Sequence, residues 1–120
     1  MPAWRILLVE DDHEVGHLLD VVLRSEGYAV EYARDAAQAR MRLAARSFDL
    51  VLADWRLPDG DGIDIAELAA KSGVKTVLMS GYLLQIPADR TAGYELLMKP
   101  IRPRELVEAI ERVLGPRVRS

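Results

Sequence analysis

The sequence predicts an α/β domain, a doubly wound parallel sheet of five strands with helices on both faces. Two observations predict it. Five short apolar segments alternate with segments of helical periodicity, the pattern of strands joined by helical crossovers. The clearest apolar segments are continuous runs, as expected for strands that are buried on both faces. Right-handed crossovers then place helices on each side of the sheet.

The first strand and the first helix are predicted near the N-terminus. Residues 6–9 form a continuous apolar run that ends at three consecutive acids, Glu10, Asp11 and Asp12. Helical spacing follows at once, with Asp12 placed to cap the helix and Gly27 placed to end it. The apolar stripe of this helix is predicted at Val15, Leu18, Leu19 and Val22.

The next two strands are predicted in the middle of the chain. Residues 28–33 form a weaker strand, and Asp35 then opens an Ala-rich helix. Residues 48–53 are a further apolar run, which terminates on Asp54 before a turn-rich stretch over residues 57–62. The second helix is predicted to bury Ala36, Ala39 and Leu43.

The third helix and the fourth strand follow that turn. The helix is predicted to stop near Gly73, and residues 76–79 form a strand that ends at Ser80. Pro87 then interrupts the helical pattern, so only a short helix is predicted over residues 82–93. The buried stripe of the third helix is predicted at Ile65, Leu68 and Ala69.

The fifth strand and the last helix complete the alternation. Residues 95–98 form a strand that ends at Lys99, and Pro103 is placed in the first turn of a helix that Gly115 closes. Its buried stripe is predicted at Leu106, Ile110, Val113 and Leu114.

Length and composition exclude several classes of protein. A chain of 120 residues has the length of one domain, so we expect a single unit with a core over about residues 5–114 and no effector domain. The net charge of -3 and the scattered arginines argue against direct nucleic-acid binding. The absence of cysteine excludes thiolate metal sites and cysteine nucleophiles. His13 and His17 have helical spacing without the Glu of an HExxH motif, so they are interpreted as a solvated helix face.

Targeting signals are not visible in the sequence. The N-terminal apolar run is too short for a signal peptide, and no run approaches the roughly 18 residues of a membrane span. The expected location is cytoplasmic, with no membrane contact.

Polar residues at the ends of the strands form the candidate site. In an open parallel sheet, ligands bind in the crevice beyond the carboxyl ends of the strands. Glu10 and Asp11 follow the first strand, Asp54 the third, Ser80 the fourth and Lys99 the fifth. We therefore expect these five side chains to face one crevice.

The residue types at these strand ends point to phosphoryl chemistry. Three converging carboxylates repel one another, and Mg²⁺ relieves that repulsion while keeping a position for a phosphoryl oxygen. A carboxylate beside such a cation can attack phosphorus and form an acyl phosphate, and Asp54 is the candidate nucleophile. The Lys99 ammonium and the Ser80 hydroxyl would offset the charge of the phosphoryl oxygens. Each residue alone is commonplace, and the hypothesis depends on their combination in strand order.

At this point the sequence resembles a known family, the receiver domain of two-component response regulators, which includes the bacterial chemotaxis response regulator. The resemblance extends over about residues 5–114. It is carried by residues 6–12, by residues 49–54 with 57–62 behind them, by Ser80-Gly81 and by Lys99-Pro100.

The resemblance implies a flavodoxin-like strand order of 2-1-3-4-5 and a phosphorelay function with Mg²⁺ as the cofactor. Asp54 would accept a phosphoryl group from a histidine kinase or a phosphotransfer protein, without turnover as an enzyme. Phosphorylation would then switch a surface that a downstream protein reads, and a phosphorylation-dependent homodimer is left open.

The resemblance also implies roles for individual residues. Asp11 and Asp54 would bind Mg²⁺ directly, together with the backbone carbonyl of Arg56, and Glu10 would act through metal-bound water. Lys99 would contact a phosphoryl oxygen, and its bond to the following proline would be cis. Ser80 would reorient toward the phosphoryl group.

Two features depart from the family pattern. The family usually has Tyr or Phe three residues before the lysine, where this chain has Leu96, so Tyr94 or Tyr82 is the available substitute. The stretch between Ser80 and Lys99 is also shorter than usual, which predicts an abbreviated or irregular fourth helix.

Three other interpretations involve some of the same residues. A Mg²⁺-dependent phosphatase with an aspartyl nucleophile would resemble haloacid dehalogenases, which place a second Asp two residues after the first, and Arg56 stands there instead. A receiver excised from a hybrid histidine kinase would have nearly the same sequence. A degenerate receiver that only binds partners would be favoured by loss of Asp54 or Lys99, and both are present.

Overall fold

Strands and helices alternate in the computed structural model, which describes residues 3–81, 88–91 and 93–115. The strands are β1 (Arg5–Val9), β2 (Ala29–Ala33), β3 (Leu50–Asp54), β4 (Arg56–Leu57), β5 (Gly60–Asp61), β6 (Lys75–Ser80) and β7 (Glu95–Met98). The helices are α1 (His13–Ser25), α2 (Ala36–Ala45), α3 (Gly62–Ala70), α4 (Ala88–Thr91) and α5 (Pro103–Leu114).

Five of the strands form one parallel sheet in the order β2-β1-β3-β6-β7. This order confirms the doubly wound sheet and the expected strand order 2-1-3-4-5. Each of the five predicted strands is also present within two residues of its predicted bounds. The chain order reverses between β1 and β3, which are neighbours in the sheet. A doubly wound sheet opens its ligand crevice at such a reversal, so the site should lie beyond the carboxyl ends of these two strands.

Two short elements differ from the sequence-based expectation. The turn-rich stretch contains a small antiparallel pair, β4 with β5, in which Arg56 is opposite Asp61. The short helix expected over residues 82–93 is described only at Ala88–Thr91, and residues 82–87 and 92 lie outside the described part.

The side chains of the strands build one core on each side of the sheet. Alternate residues of a strand point to opposite faces, so Ile6 and Leu8 pack with α1 and α5 while Leu7 and Val9 pack with α2 and α3. All four of these strand residues are fully buried. The sheet therefore holds its strand ends on a rigid frame.

The predicted helix caps are confirmed. Asp12 accepts hydrogen bonds from the backbone N–H groups of Glu14 and Val15, and Asp35 accepts one from that of Gln38. Each carboxylate satisfies N–H groups that have no partner within the helix. With Asp12 as its cap, α1 begins at His13, four residues after the end of β1.

The predicted stripe of α1 is wrong at Leu18, which is 56% exposed. The buried residues of α1 are Gly16, Leu19 and Leu23. Gly16 faces inward instead and lies against Tyr32 of β2. His13 and His17 are both exposed, as expected for a solvated face.

No helix in the described ranges combines the length and the apolar character that crossing a membrane requires.

The first residue of α3, Gly62, lies in close contact with the backbone at the end of β3. A Cβ at Gly62 would lie 2.3 Å from the carbonyl oxygen of Asp54 and 3.0 Å from its carbonyl carbon. The N–H of Gly62 also donates to the carbonyl of Trp55 at 2.8 Å. The approach of helix to strand therefore requires a residue without a side chain at this position.

We predict that Gly62→Ala lowers the free energy of unfolding by about 2 kcal/mol or more, because backbone atoms of β3 must move to admit the methyl group. Gly60→Ala is the matched control in the same loop, since its Cβ would meet the nearest atom at an ordinary 3.5 Å. Urea denaturation of both variants measures the difference, and equal stabilities would contradict the close approach.

Candidate functional site

The carboxyl ends of the strands enclose one cleft. Glu10 and Asp11 follow β1, Asp54 ends β3, Ser80 ends β6 and Lys99 follows β7. All five residues line a cleft of about 550 Å³, together with Asp12, Trp55, Arg56 and Gly81. The predicted convergence of these residues is therefore present in the structure.

Three carboxylates of the cleft lie within reach of a single cation. Carboxylate oxygens of Glu10, Asp11 and Asp54 all lie within 4.8 Å of one another. Glu10 is fully buried, Asp54 is 8% exposed and Asp11 is exposed. The group combines hard oxygen ligands with an open side toward solvent, which is the ligand set that Mg²⁺ prefers.

Lys99 lies between two of these carboxylates. Its ammonium donates to Glu10 Oε1 at 2.5 Å and to Asp54 Oδ2 at 2.7 Å. Burial alone would lower the pKa of Lys99, but its hydrogen bonds to Asp54 and Glu10 raise that pKa above the ordinary value. The lysine therefore remains charged and offsets part of the repulsion between the two acids.

Glu10 is the most strongly perturbed acid among the described residues. Burial and the nearby charge of Asp54 raise the pKa of Glu10 to about 7, although hydrogen bonds from Lys99 and from the N–H of Asp12 oppose the rise. A proton on Glu10 is thus a competitor of any cation that enters the cleft.

The main chain fixes Asp54 at the base of the cleft. Its Oδ2 is bound by Lys99, and its Oδ1 accepts a hydrogen bond from the N–H of Arg56 at 3.2 Å. The next residue is tied to the neighbouring strand, because the N–H of Trp55 donates to the carbonyl of Met79 at 2.7 Å. The carboxylate is accordingly held in place and is reached from the open side of the cleft.

Ser80 and the Lys99-Pro100 bond complete the predicted set. Ser80 is 1% exposed, and its carbonyl accepts the N–H of Lys99 at 2.8 Å. The Lys99-Pro100 peptide bond is cis, as the family resemblance implied. Arg56 lies on the rim of the cleft, with its side chain exposed.

The position of the missing aromatic residue is half-buried. Leu96 packs beside Trp55 and Tyr94 against Ile63 and Leu78. The aromatic residues of this cluster are therefore Trp55 and Tyr94, while Tyr82 lies outside the described part of the chain. Tyr94 and Trp55 therefore pack in the same cluster as Leu96, while the substitution of Tyr94 or Tyr82 for the family's aromatic residue stays a prediction.

Two residues of the surroundings were missed from the sequence. Asp59 was interpreted as part of a simple turn, but its carboxylate accepts the N–H groups of Ala36 and Ala37 at the start of α2, which lowers the pKa of Asp59. The hydroxyl of Tyr32 donates to the main-chain carbonyl of Glu10 at 2.9 Å. Both contacts join residues 22 or 23 positions apart, so no local pattern could reveal them.

Comparisons with known proteins agree on one family. The model of the response regulator receiver domain matches residues 6–111. The DNA-binding response regulator MtrA of Mycobacterium tuberculosis is 37% identical over 112 residues, which cover 88% of this chain and 48% of MtrA. The response regulator receiver protein CpdR of Brucella abortus is 34% identical over 115 residues, which cover 92% of this chain and 96% of CpdR. The chain thus spans about half the length of the first curated relatives that it matches.

A solved structure extends the agreement to the fold. The response regulator protein TrrA of Thermotoga maritima, in complex with Mg²⁺ and BeF, superposes with a TM-score of 0.84 at 26% identity. The match covers 92% of this chain and 99% of that one.

The raised pKa of Glu10 predicts how stability depends on pH when no divalent cation is present. Because the folded state binds the proton of Glu10 more tightly than the unfolded chain does, the free energy of unfolding should rise as pH falls from about 7 toward 4.5. The full effect is about 3 kcal/mol as an order of magnitude. Lys99 does not contribute to this change, because the stability from its raised pKa is already fully present below pH 10.5.

Other groups also titrate in this range, so Glu10→Gln is the control. We predict that urea denaturation in EDTA shows a smaller gain between pH 8 and pH 5 for Glu10→Gln than for the wild type. Identical pH profiles for the two proteins would contradict the perturbed carboxyl.

Proposed function

This chain belongs to the response regulator receiver domain family, and we propose that Asp54 is the residue at which it accepts a phosphoryl group. Receiver domains are phosphoacceptors of two-component signalling rather than turnover enzymes. The observation that carries the assignment is the position of Asp54 at the base of the cleft, with Lys99 on one oxygen and two further carboxylates within 4.8 Å.

The proposed reaction is an in-line transfer to the Asp54 carboxylate. A carboxylate oxygen forms a bond to phosphorus, the bond between phosphorus and the donor nitrogen or oxygen breaks, and its electron pair leaves with the donor. The product is an acyl phosphate on Asp54. We propose that the Lys99 ammonium contacts one phosphoryl oxygen and that the Ser80 hydroxyl turns toward another.

The residues fit a Mg²⁺ ion. We propose that Asp11, Asp54 and the backbone carbonyl of Arg56 hold it, with Glu10 acting through water. The hard oxygens of the three acids and the open side of the cleft support this ligand set. Bound Mg²⁺ would neutralise charge that develops on the transferring phosphoryl group. The Mg²⁺ complex of the related TrrA adds support from a similar fold.

The proposed partners follow from the chemistry of the acceptor. A histidine kinase or a phosphotransfer protein supplies the phosphoryl group, and these donors place the proposed location in the cytoplasm. A downstream protein reads the phosphorylated surface, with a second copy of the chain as one form of that partner. Residues 5–114 are proposed as one receiver unit, and the DNA binding in the name of MtrA is not carried over to this chain.

Chemical labelling tests the assignment of Asp54. We predict that acetyl phosphate with Mg²⁺ labels one site, and that mass spectrometry of the borohydride-reduced protein locates it at Asp54. The carboxylate must be free of a proton and beside the cation to attack, so EDTA should abolish the label.

Asp54→Asn should remove the label, while Asp59→Asn is the matched control because that carboxylate caps α2 outside the cleft. Label on another residue, or label that persists in Asp54→Asn, would refute the proposal.

Removal of the Lys99 charge should increase the affinity for Mg²⁺ and reduce the effect of phosphorylation on partner binding. We predict that Lys99→Met increases the apparent Mg²⁺ affinity by roughly threefold or more, because the ammonium no longer repels the cation. Phosphorylation should then no longer change partner binding. Calorimetric titration with Mg²⁺ measures the first effect, and an affinity equal to or below that of the wild type would contradict it.

A further inference from the structure

Tyr32 connects the end of β2 to the loop that carries the acidic residues. Its hydroxyl donates to the main-chain carbonyl of Glu10 at 2.9 Å. β2 pairs with β1 up to Val9 and Ala33, so Tyr32 lies at the edge of the sheet where the cleft opens. The contact is made to the backbone and not to a carboxylate, so Tyr32 leaves the ligand oxygens unoccupied.

Gly16 of α1 provides the space for the tyrosine ring. A Cβ on Gly16 would lie 2.0 Å from the Tyr32 hydroxyl oxygen and 2.4 Å from the ring carbon that bears it. Gly16 is buried within the helix, where alanine would be favoured by about 1 kcal/mol on helix propensity alone. The glycine is therefore costly for the helix, and the space it leaves is filled by Tyr32.

The side chain of Asp11 is exposed, so its orientation depends on the backbone that carries it. The residues on either side of it are fixed: the N–H of Glu10 donates to the carbonyl of Ala33 at 3.1 Å, and the N–H of Asp12 donates to Glu10 Oε2 at 3.1 Å. The Glu10 carbonyl belongs to the planar peptide group that leads into Asp11. A hydrogen bond to this carbonyl therefore fixes the direction in which the Asp11 backbone leaves β1.

We propose that Tyr32 is a positioning residue for the cation site, which orients the Glu10–Asp11 peptide group while Gly16 makes room for its ring. The inference rests on the proposed function, because it concerns the same cation site. Without the hydroxyl, the peptide group turns more freely and Asp11 spends less time in the orientation that binds a cation. The attack by Asp54 is unaffected once the cation is bound.

Tyr32→Phe tests the role because it removes only the hydroxyl. In the full chain, calorimetric titration with Mg²⁺ should show about tenfold weaker binding, the size expected for groups that orient metal ligands. Labelling by acetyl phosphate should need about tenfold more Mg²⁺ for half of its maximal rate, while the rate at saturating Mg²⁺ stays at the wild-type value. A purely structural role would lower the folded fraction and leave the half-saturating Mg²⁺ concentration unchanged.

Tyr28→Phe is the matched control. Tyr28 is buried beside β2 and Tyr32 is half-buried, but Tyr28 lies at the opposite end of the strand from the cleft. Its variant should bind Mg²⁺ as the wild type does. Equal weakening in both variants would assign the effect to the packing of β2 and overturn the positioning role.

Gly16→Ala provides a second and independent variant. The methyl group must displace the Tyr32 ring, so this variant should weaken Mg²⁺ binding even though alanine favours the helix. The double variant Gly16→Ala with Tyr32→Phe should bind Mg²⁺ no more weakly than Gly16→Ala alone, because the same hydrogen bond is lost in both. Additive losses would show that the two residues act separately.

The outcomes separate this inference from the proposed function. If the wild type is labelled at Asp54 with Mg²⁺ and Tyr32→Phe shows the same half-saturating Mg²⁺ concentration, the positioning role is refuted and the function stands. If the wild type shows no Mg²⁺-dependent labelling, the function fails and the positioning role fails with it.

Discussion

The pairing of one half-buried ammonium with two buried carboxylates is the constraint on which the cleft depends. Lys99 follows β7, Glu10 follows β1 and Asp54 ends β3. The hydrogen bonds of the Lys99 ammonium to the two acids therefore link the carboxyl ends of three strands. Two acids that are nearly or fully buried repel each other, and this counter-charge offsets part of the repulsion. The lysine offsets only one of the negative charges, because Asp11 is also present. The cleft therefore favours a cation, and burial together with the nearby charge of Asp54 raises the pKa of Glu10.

The fold and the convergence of the site residues could be predicted because both follow from a repeated local pattern. Each of the five strands ends where an apolar run meets a polar residue, and parallel strands bring their carboxyl ends to one edge. Asp54, Ser80 and Lys99 were found in this way without any knowledge of which strands are neighbours. The strand order and the cis bond before Pro100 came from the family resemblance, not from the residues themselves.

What the sequence did not reveal depends on contacts between distant segments. Leu18 has the spacing of a buried residue, yet the helix buries Gly16 against a tyrosine from β2 and leaves Leu18 exposed. The carboxylate of Asp59 resembles that of any turn, yet it caps a helix that begins more than 20 residues earlier. In each case a short-range pattern was compatible with two arrangements, and a long-range contact chose between them. These contacts hold the loops around the cleft, while the sheet holds the strand ends.

Hydrogen bonds from the residues around Asp54 determine which parts of the structure would respond to its phosphorylation. The backbone N–H of Trp55 donates a hydrogen bond to the carbonyl of Met79 in β6. The backbone N–H of Lys99 donates to the carbonyl of Ser80 in the same strand. On the proposed function, a phosphoryl group on Asp54 would bring about two negative charges close to Lys99. The ammonium would then be drawn from Glu10 toward the phosphoryl oxygens, and the backbone that follows it is the start of the segment leading into α5. On the proposed function, Leu96 offers neither a ring nor a hydroxyl to this rearrangement. Among the described residues, the groups beside Asp54 that would respond are therefore the Lys99 ammonium, Ser80 and the packing of Trp55 and Tyr94 beside Leu78.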